Sequence, residues 1–314
     1  MNDSRARLLV LMYHYVRDVR TSPFPGLHAL GTAAFRSQVD QLRERYEMAS
    51  LETCLAFVRG EYLPVRDLCL LTFDDGLCDH YEEVTPVLAE REIEGVFLLP
   101  TGPIEEHFVL PAHKAHFLAA SLGFDEYEER LLPALKERER DLPDQVDPEA
   151  ARTAYRWDEP RVANFKYLVN RVANERARNE ALGAVFTQVF GSESDFARSL
   201  YLSWDRALAM QRAGMILGGH THTHPVLAAC TVDAQRRELE QSLALLERRL
   251  APQASWPFAF PFGKRQTFDE HSVALLGELG YGCAFTTEVG WCHAGDPLHA
   301  LCRVDPKDVP ALVG

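Results

Sequence analysis

Short runs of consecutive apolar residues recur along the chain, and amphipathic stretches separate them. Continuous rather than alternating hydrophobicity is typical of parallel strands that are covered on both faces, so these runs predict buried strands. The seven predicted strands are Leu8–Tyr13, Leu68–Phe73, Val96–Leu99, Met215–Leu217, Phe258–Pro261, Cys283–Thr286 and Leu301–Val304. Alternation of strand and helix predicts an α/β fold, and seven strands favour a barrel over an open sheet.

One long region shows helical patterns alone. From about Ile104 to Ser199 no run is typical of a strand, and stretches such as EYEERLLPALKERERDL are typical of helices. Within this region, Asp141–Asp158 contains two prolines and many charges, which is typical of a loop between helices. We therefore predict a single domain over residues 1–314, with a helical insertion at about residues 104–199.

Composition and charge exclude several classes of protein. The chain has 314 residues, with 33 Lys+Arg against 46 Asp+Glu and a formal net charge of −13, which disfavours a general nucleic-acid binder. No stretch approaches the roughly 18 apolar residues of a membrane span. The apolar run at Leu8–Tyr13 is too short for the core of a signal peptide.

The seven cysteines are scattered and include no Cys-x-x-Cys pair. Cys69 and Cys283 lie inside apolar runs, where a free thiol behaves as a small hydrophobic side chain. A disulfide framework and a cysteine-rich zinc site are therefore not expected. We predict a cytoplasmic location.

The sequence TFDDG, residues 72–76, follows a predicted buried strand directly. Barrels place their active sites at the carboxyl ends of such strands. Neighbouring side chains in extended chain point to opposite sides, so Asp74 and Asp75 are expected to do different work. One can bind a metal while the other handles a proton; the alternative is an ordinary Asp-Gly turn.

The sequence HTHTHP, residues 220–225, follows the run at Met215–Leu217. His220 and His224 are four residues apart, which predicts two imidazoles on one face of a helical turn. His222 is expected to point away from that pair, toward solvent or in support of a ligand. Two histidines and one carboxylate form a usual ligand set for catalytic zinc and for iron. The alternative is a histidine-rich helix start without chemistry.

The sequence FAFPFG, residues 258–263, ends a predicted strand with Pro and Gly. The backbone N–H of Phe262 could face the site and stabilise an oxyanion. A plain strand-to-loop turn is the alternative.

In this order, TFDDG, HTHTH, FAFPFG and then GYGCAFTTEVG resemble the successive motifs of the polysaccharide deacetylase family (NodB homology, carbohydrate esterase family 4). The resemblance covers about Leu8–Asp305, except the predicted insertion. It implies a distorted, incomplete (β/α)7 TIM-like barrel, a divalent metal and hydrolytic removal of an acyl group from a sugar.

The resemblance also implies roles for individual residues. Asp75, His220 and His224 correspond to the metal ligands of the family and Asp74 to its general base. The backbone N–H of Phe262 corresponds to a donor of the oxyanion hole. Zinc is the first choice of metal, with iron, nickel or cobalt as alternatives, because this ligand set suits all four.

Two departures from the family pattern affect the predicted site. The Arg that many members have in the third motif, where it orients the base, is missing near Trp256. Arg303 could orient Asp74 instead through a charge-assisted hydrogen bond, or could lie exposed at the barrel rim. The family's Leu-x-His motif, which supplies the general acid, has only a poor counterpart at His299.

The general acid has a better candidate near the N-terminus. The sequence MYHYV, residues 12–16, resembles a subgroup that includes poly-N-acetylglucosamine deacetylases, in which a histidine at the end of the first strand is the acid. We therefore prefer His14 as the acid, with His299 second. His113 and His116 lie three residues apart on a predicted helix, and we interpret them as helix residues near the cleft because no carboxylate motif accompanies them.

Together with these residues, the resemblance implies a metal-dependent hydrolase that removes an N-acyl group from a sugar or polysaccharide precursor in surface-polysaccharide biosynthesis. Acetyl is the first choice of acyl group. The alternatives are a sugar O-deacetylase or other amide hydrolase on the same core, and a non-catalytic carbohydrate-binding relative. Neither nucleic acid nor a membrane is expected as a partner, and the oligomeric state is open, with a homodimer among the options.

The predicted insertion follows a strand end at Leu99–Pro103. Because the βα loops of a barrel emerge over its active site, we expect the insertion to cover the metal and narrow access to it. This arrangement favours a small or chain-end substrate; a dimerisation surface is the alternative role.

Overall fold

The computed structural model describes residues 6–156 and 158–309. It divides into two compact units. The first, which we call the barrel unit, comprises the chain up to Asp18, Ala29–Phe108 and the chain from Ala197 onward. The second, the helical unit, comprises Val19–His28 and Val109–Phe196.

The barrel unit is built on one parallel sheet. Its strands are β1 (Leu8–Tyr13), β2 (Glu47–Met48), β3 (Leu68–Asp74), β4 (Gly95–Leu99), β5 (Ile216–Gly219), β6 (Trp256–Ala259) and β7 (Tyr281–Phe285). They follow the order β1-β3-β4-β5-β6-β7, with β2 pairing beside β3. Every residue of β3 and β4 is buried, as a strand covered on both faces requires. The predicted α/β, incomplete-barrel fold is confirmed.

The predicted seventh strand at Leu301–Val304 is wrong as a strand. Leu301 pairs with Phe285 of β7, whereas Val304 pairs with Leu11 of β1. Each end of the segment therefore bonds to a different neighbour, and no continuous ladder forms with either. The segment instead links the two outermost strands of the sheet, with the side chain of Arg303 buried between these contacts.

The described chain contains the following α-helices. They are α1 (Thr32–Arg45), α2 (Leu51–Val58), α3 (Thr85–Ala89), α4 (Thr101–Glu106), α5 (Pro111–Arg138), α6 (Pro148–Ala154), α7 (Pro160–Tyr167), α8 (Glu175–Phe190), α9 (Glu193–Leu200), α10 (Trp204–Arg212), α11 (Val232–Arg249) and α12 (Glu270–Leu279). Side-chain caps fix several starts: Ser50 accepts from the amide of Thr53 at α2, and Thr231 accepts from that of Ala234 at α11.

An aromatic stack lies beneath the carboxyl ends of three neighbouring strands. The ring of Phe73 on β3 stacks on Tyr13 of β1 at 5.2 Å between centroids and on Phe97 of β4 at 4.7 Å. Phe35 on α1 meets both Tyr13 and Phe73 edge-on. Aromatic pairs of this kind add to the free energy of burial. The stack therefore gives the loops that follow β1, β3 and β4 a rigid base.

The helical unit has its own aromatic core. In its described residues, α5 and α8 pack together, and α5 is interrupted at Gly123, whose φ of 71° lies in the left-handed region. The rings of Phe24, Phe117, Phe186, Phe190 and Phe196 contact one another there. No described helix is both long enough and apolar enough to span a membrane.

Candidate metal centre and active site

Three predicted ligands converge at the carboxyl edge of the barrel sheet. One ligand atom from each of Asp75, His220 and His224 lies within 4.8 Å of the other two, and we call these residues the metal triad. The Nε2 atoms of both histidines lie 3.6 Å from Oδ1 of Asp75 and 3.2 Å from each other. The triad brings together residues that are 145 positions apart in the chain.

The triad has the donor chemistry and the spacing that a divalent metal needs. Ligand atoms about 2.0–2.2 Å from a tetrahedral zinc ion lie about 3.3–3.6 Å from one another, close to the distances found here. Nδ1 of His220 lies 2.7 Å from the carbonyl oxygen of Ala259 on β6 and donates to it, which leaves the Nε2 lone pair for a metal. The residues of the triad therefore fit a metal centre.

The two histidines meet through a bend, so the predicted helical turn is wrong. His220 directly follows β5, and residues 220–224 adopt no helix. Thr221 and His224 have φ angles of 64° and 63°, in the left-handed region. The Thr221 hydroxyl donates to the carbonyl of His220 and accepts from the amide of His224, at 2.6 and 2.9 Å. This local network returns the second imidazole to the first.

Asp74 is not part of the triad and is held by Arg303. The guanidinium donates to both carboxylate oxygens, at 2.8 and 2.7 Å, and also to the carbonyl of Thr286 and the hydroxyl of Thr72. Both side chains are almost completely buried, so Arg303 does not lie exposed at the rim. Burial alone would raise the pKa of Asp74, but the charges of Arg303 and His220 outweigh it, and the pKa is lowered.

His14 and Phe262 lie beside the triad. Nε2 of His14, which follows β1, is 4.0 Å from Oδ2 of Asp75, and its side chain is 42% exposed. The ring of Phe262 lies 5.0 Å from that of His224. The carbonyl of Phe262 accepts from the hydroxyl of Thr287, which pins this loop to the one after β7.

Backbone strain is concentrated at this edge of the sheet. Of the six described non-glycine residues with positive φ, four are Asp75, Thr221, His224 and Phe262. Such conformations cost about 1–3 kcal/mol each and persist where surrounding contacts enforce them. The strain therefore coincides with two of the three predicted ligands and with the predicted oxyanion donor.

A family model described as polysaccharide deacetylase matches residues 165–284. This segment is less than half of the chain, and over it the chain is similar to that family. The matched segment includes His220, His224 and Phe262, whereas TFDDG lies outside it. No curated protein matches the sequence.

Solved structures show the same fold at low sequence identity. The chain is similar to the Streptococcus pyogenes deacetylase PplD in complex with acetate, with 17% identity, a TM-score of 0.60 and coverage of 96% of this chain and 93% of that one. It is also similar to IcaB from Ammonifex degensii, with 17% identity, a TM-score of 0.60 and coverage of 96% of this chain and 91% of that one. A third similar structure is the BpsB deacetylase domain from Bordetella bronchiseptica, with 15% identity, a TM-score of 0.55 and coverage of 96% of this chain and 97% of that one.

The middle histidine of the HTHTH sequence supports the bend. His222 points away from the triad, and its ring bonds to the hydroxyl of Thr101 at 3.0 Å and to the carboxylate of Glu106 at 2.9 Å. The carboxylate of Glu238 on α11 accepts from the backbone amides of His222 and Thr223. These contacts fix the bend to α4 and α11.

The other histidines weighed from the sequence lie elsewhere. Nε2 of His299 lies 2.8 Å from the carbonyl oxygen of Tyr281, the first residue of β7 and thus at the opposite edge of the sheet from Asp75. This placement favours His14 over His299 as the acid. His113 and His116 lie on α5 with ring centroids 6.0 Å apart, and they join no group of metal-ligating residues within the described chain.

Sequence reasoning missed a polar group that holds the loop after β1. Asp79 and His80, which follow TFDDG closely, contact the segment from His14 to Arg17. Their closeness to TFDDG was an available signal. The contacts themselves depend on the parallel pairing of β1 with β3, which the sequence does not specify.

Proposed function

We propose that this chain is a metal-dependent hydrolase that removes an N-acetyl group from a sugar in a surface polysaccharide or its precursor. The observation that carries the proposal is the triad of Asp75, His220 and His224 beside a buried, ionised Asp74. Zinc is the proposed metal, because two imidazoles and one carboxylate are a usual set for catalytic zinc and leave positions open.

Asp74 is the proposed general base. When bound, a divalent metal lowers the pKa of a water molecule toward neutrality and polarises the acyl carbonyl. Each carboxylate oxygen has two lone pairs, so the bond that each accepts from Arg303 leaves one free for the proton of the attacking water. Arg303 also keeps Asp74 ionised and fixes its orientation.

Phe262 and His14 complete the proposed chemistry. The backbone N–H of Phe262 stabilises the developing oxyanion, and such a donor typically contributes about 3–4 kcal/mol. An amide leaves poorly as an anion, so a protonated His14 donates a proton to the departing sugar amine. The position of His14 near Asp75 and its partial exposure support this role.

The location and the class of substrate are also proposals. None of the seven cysteines forms a disulfide in the described chain, which supports a reducing compartment, and we propose the cytoplasm. PplD and IcaB share the fold, and the first is described as a deacetylase, which supports an acetylated saccharide as substrate.

The test is acetate release from N-acetylglucosamine oligomers and from O-acetylated sugars, with the protein stripped of metal and then reloaded with zinc. We expect release from the N-acetylated sugar only when zinc is present. Release from the O-acetylated sugar alone would make the chain an O-deacetylase. Carbohydrate binding without any release, at full metal occupancy, would make it a non-catalytic relative.

The metal triad is tested separately with His220→Ala and the control His116→Ala, which removes an exposed imidazole from α5. We expect His220→Ala to lose bound metal and activity together, whereas the control keeps both. Metal content measured by mass spectrometry decides the matter. A His220→Ala protein that keeps one metal per chain would show that the triad is not the metal site.

A further inference from the structure

Two adjacent residues, Asp79 and His80, hydrogen-bond to the loop that carries His14. His14 directly follows β1, and Asp79 and His80 lie just after the TFDDG sequence at the end of β3. His80 is also the first residue of a single π-helical turn, His80–Val84. Turns of this kind are rare and are frequent at functional sites.

His80 has one hydrogen bond through its ring, and it is to His14. Its Nε2 lies 3.1 Å from the backbone carbonyl oxygen of His14, whereas its Nδ1 has no partner. The ring is completely buried between Phe73 and Phe97, with centroids 5.7 and 5.5 Å away. A neutral imidazole carries one proton, and only Nε2 has an acceptor here, so the ring donates to the His14 carbonyl.

Asp79 bonds to the same loop at Val16 and Arg17, two and three residues after His14. Its carboxylate accepts from the Arg17 guanidinium at 2.7 and 2.6 Å and from the backbone amide of Val16. Asp79 is 4% exposed, so this is a buried, bidentate pair, which is among the stronger polar contacts in proteins. Together with His80, it gives the loop three attachments within four residues.

These attachments act on one side chain of the site. What they fix is the backbone from residue 14 to residue 17, and thereby where the His14 imidazole stands relative to Asp75.

We propose that Asp79 and His80 are positioning residues that hold the His14 imidazole where it can reach the leaving group. The inference rests on the proposed function, in which His14 is the general acid. A buried polar network costs free energy to build when it serves packing alone, and an apolar pair would fill the same space without an unpartnered ring nitrogen. The network is explained if its role is to fix the position of the His14 imidazole, the proposed general acid.

Two substitutions at His80 separate positioning from packing. His80→Leu removes the donor at similar size, whereas His80→Gln places an amide N–H near the position of Nε2–H. We expect His80→Leu to lower kcat about 10- to 100-fold with KM within about threefold, since small displacements of catalytic groups have effects of this size. We expect His80→Gln to stay within about threefold of the parent.

A double-mutant cycle with His14→Ala supplies the decisive kinetic readout. If His80 acts through His14, then His80→Leu costs nothing further once His14 is absent. An equal loss in both backgrounds would overturn the proposal. Glu82→Gln is the control, because Glu82 lies on the same π-helical turn but pairs with Arg206 at the surface; its kcat should equal that of the parent.

Crystal structures of the parent and the variants test the same idea without any activity. In His80→Leu we expect Nε2 of His14 to leave its position 4.0 Å from Asp75. If His80→Leu fails to fold, Asp79→Asn replaces it, because an asparagine keeps an acceptor for Val16 but loses the charge that pairs with Arg17. An unmoved His14 would overturn the proposal; a parent that releases no acetate would instead reject the proposed function, and the crystal structures would still decide the positioning.

Discussion

At the scale of single residues, the two adjacent aspartates of TFDDG work in different electrostatic surroundings. Asp75 faces two imidazoles, whereas Asp74 faces a buried guanidinium that bonds to both of its oxygens. Two carboxylates side by side would ordinarily raise each other's pKa. Here each has its own partner, and the pKa of Asp74 is lowered. Asp74 can therefore remain ionised, as its proposed role as the base requires.

We expect Asp74→Asn to keep bound metal while losing most of its turnover. The substitution preserves shape and removes the proton acceptor, and general-base catalysis typically contributes about 10²–10⁴-fold. The measurement is kcat for acetate release at equal metal content. Turnover within a few-fold of the parent would show that Asp74 is not the base.

His80 gives the folded chain a specific dependence on pH. Burial lowers its pKa from 6.5 to about 4. Between these values the unfolded chain binds a proton that the folded chain does not, so stability is full above pH 6.5 and falls as the pH approaches 4. A shift of this size corresponds to about 3 kcal/mol.

We expect the parent to lose about 2–3 kcal/mol more than His80→Gln between pH 7 and pH 4, because the glutamine does not titrate. Urea unfolding followed by circular dichroism at steps across this range measures the difference, and effects of other groups cancel between the two proteins. Parallel pH profiles would contradict the assignment of a buried neutral imidazole.

At the scale of elements, the site depends on how closely β5 approaches β6. A Cβ atom built on Gly218 of β5 would lie 2.3 Å from the carbonyl oxygen of Pro257 on β6, so the backbones meet too closely for any side chain. Two residues later comes His220, whose Nδ1 bonds to Ala259 on the same neighbouring strand. The glycine therefore sets the distance at which that bond forms.

We expect Gly218→Ala to lower the free energy of unfolding by about 1–3 kcal/mol and to weaken zinc binding, because β5 must move away from β6. Urea unfolding and zinc titration measure the two effects. The control is Gly31→Ala, where an added Cβ meets nothing within 4 Å, and it should stay within about 0.5 kcal/mol of the parent. Full stability of Gly218→Ala would mean that the close approach is not needed.

The elements also show what the sequence could and could not reveal. The strands β1, β3 and β4 were predictable because buried parallel strands are continuously apolar, and the residues of the triad because they follow strand ends. β2 has two half-buried residues and leaves no pattern. The bend at residues 220–224 was predicted as a helical turn because the i,i+4 spacing is the same, whereas the left-handed φ of Thr221 has no signature in composition.

At the scale of the whole molecule, the region between β4 and β5 is the main addition to the barrel unit. Its described residues form helices and no strand, and those from Val109 to Phe196 join Val19–His28 in a compact unit of their own. The grouping of Val19–His28 with this unit was not predicted, because the sequence of a segment does not reveal which distant segment it contacts. The proposal that the region covers the site rests on its place in the barrel's connectivity.

We expect the protein to deacetylate an N-acetylated monosaccharide derivative or a chain end at least about tenfold faster, as kcat/KM, than residues inside a long polymer. The reason is the sequence-based prediction that the insertion covers the metal, which would exclude a continuous chain. Nuclear magnetic resonance of a partly deacetylated oligomer locates the sites of cleavage. Efficient removal along the interior of the polymer would refute the covering role and leave dimerisation as the alternative.

The strained backbone at the site has a consequence for how this protein can change. Replacing Thr221 or Phe262 with glycine would relieve a left-handed conformation that costs about 1–3 kcal/mol, against the roughly 0.4–1 kcal/mol of extra chain entropy that a glycine loses on folding. The same change would remove the hydroxyl that closes the histidine bend, or the ring beside His224. Directed evolution that rewards heat resistance alone would thus enrich chains that melt later and hydrolyse less, so a screen for durable variants must score catalysis in every round.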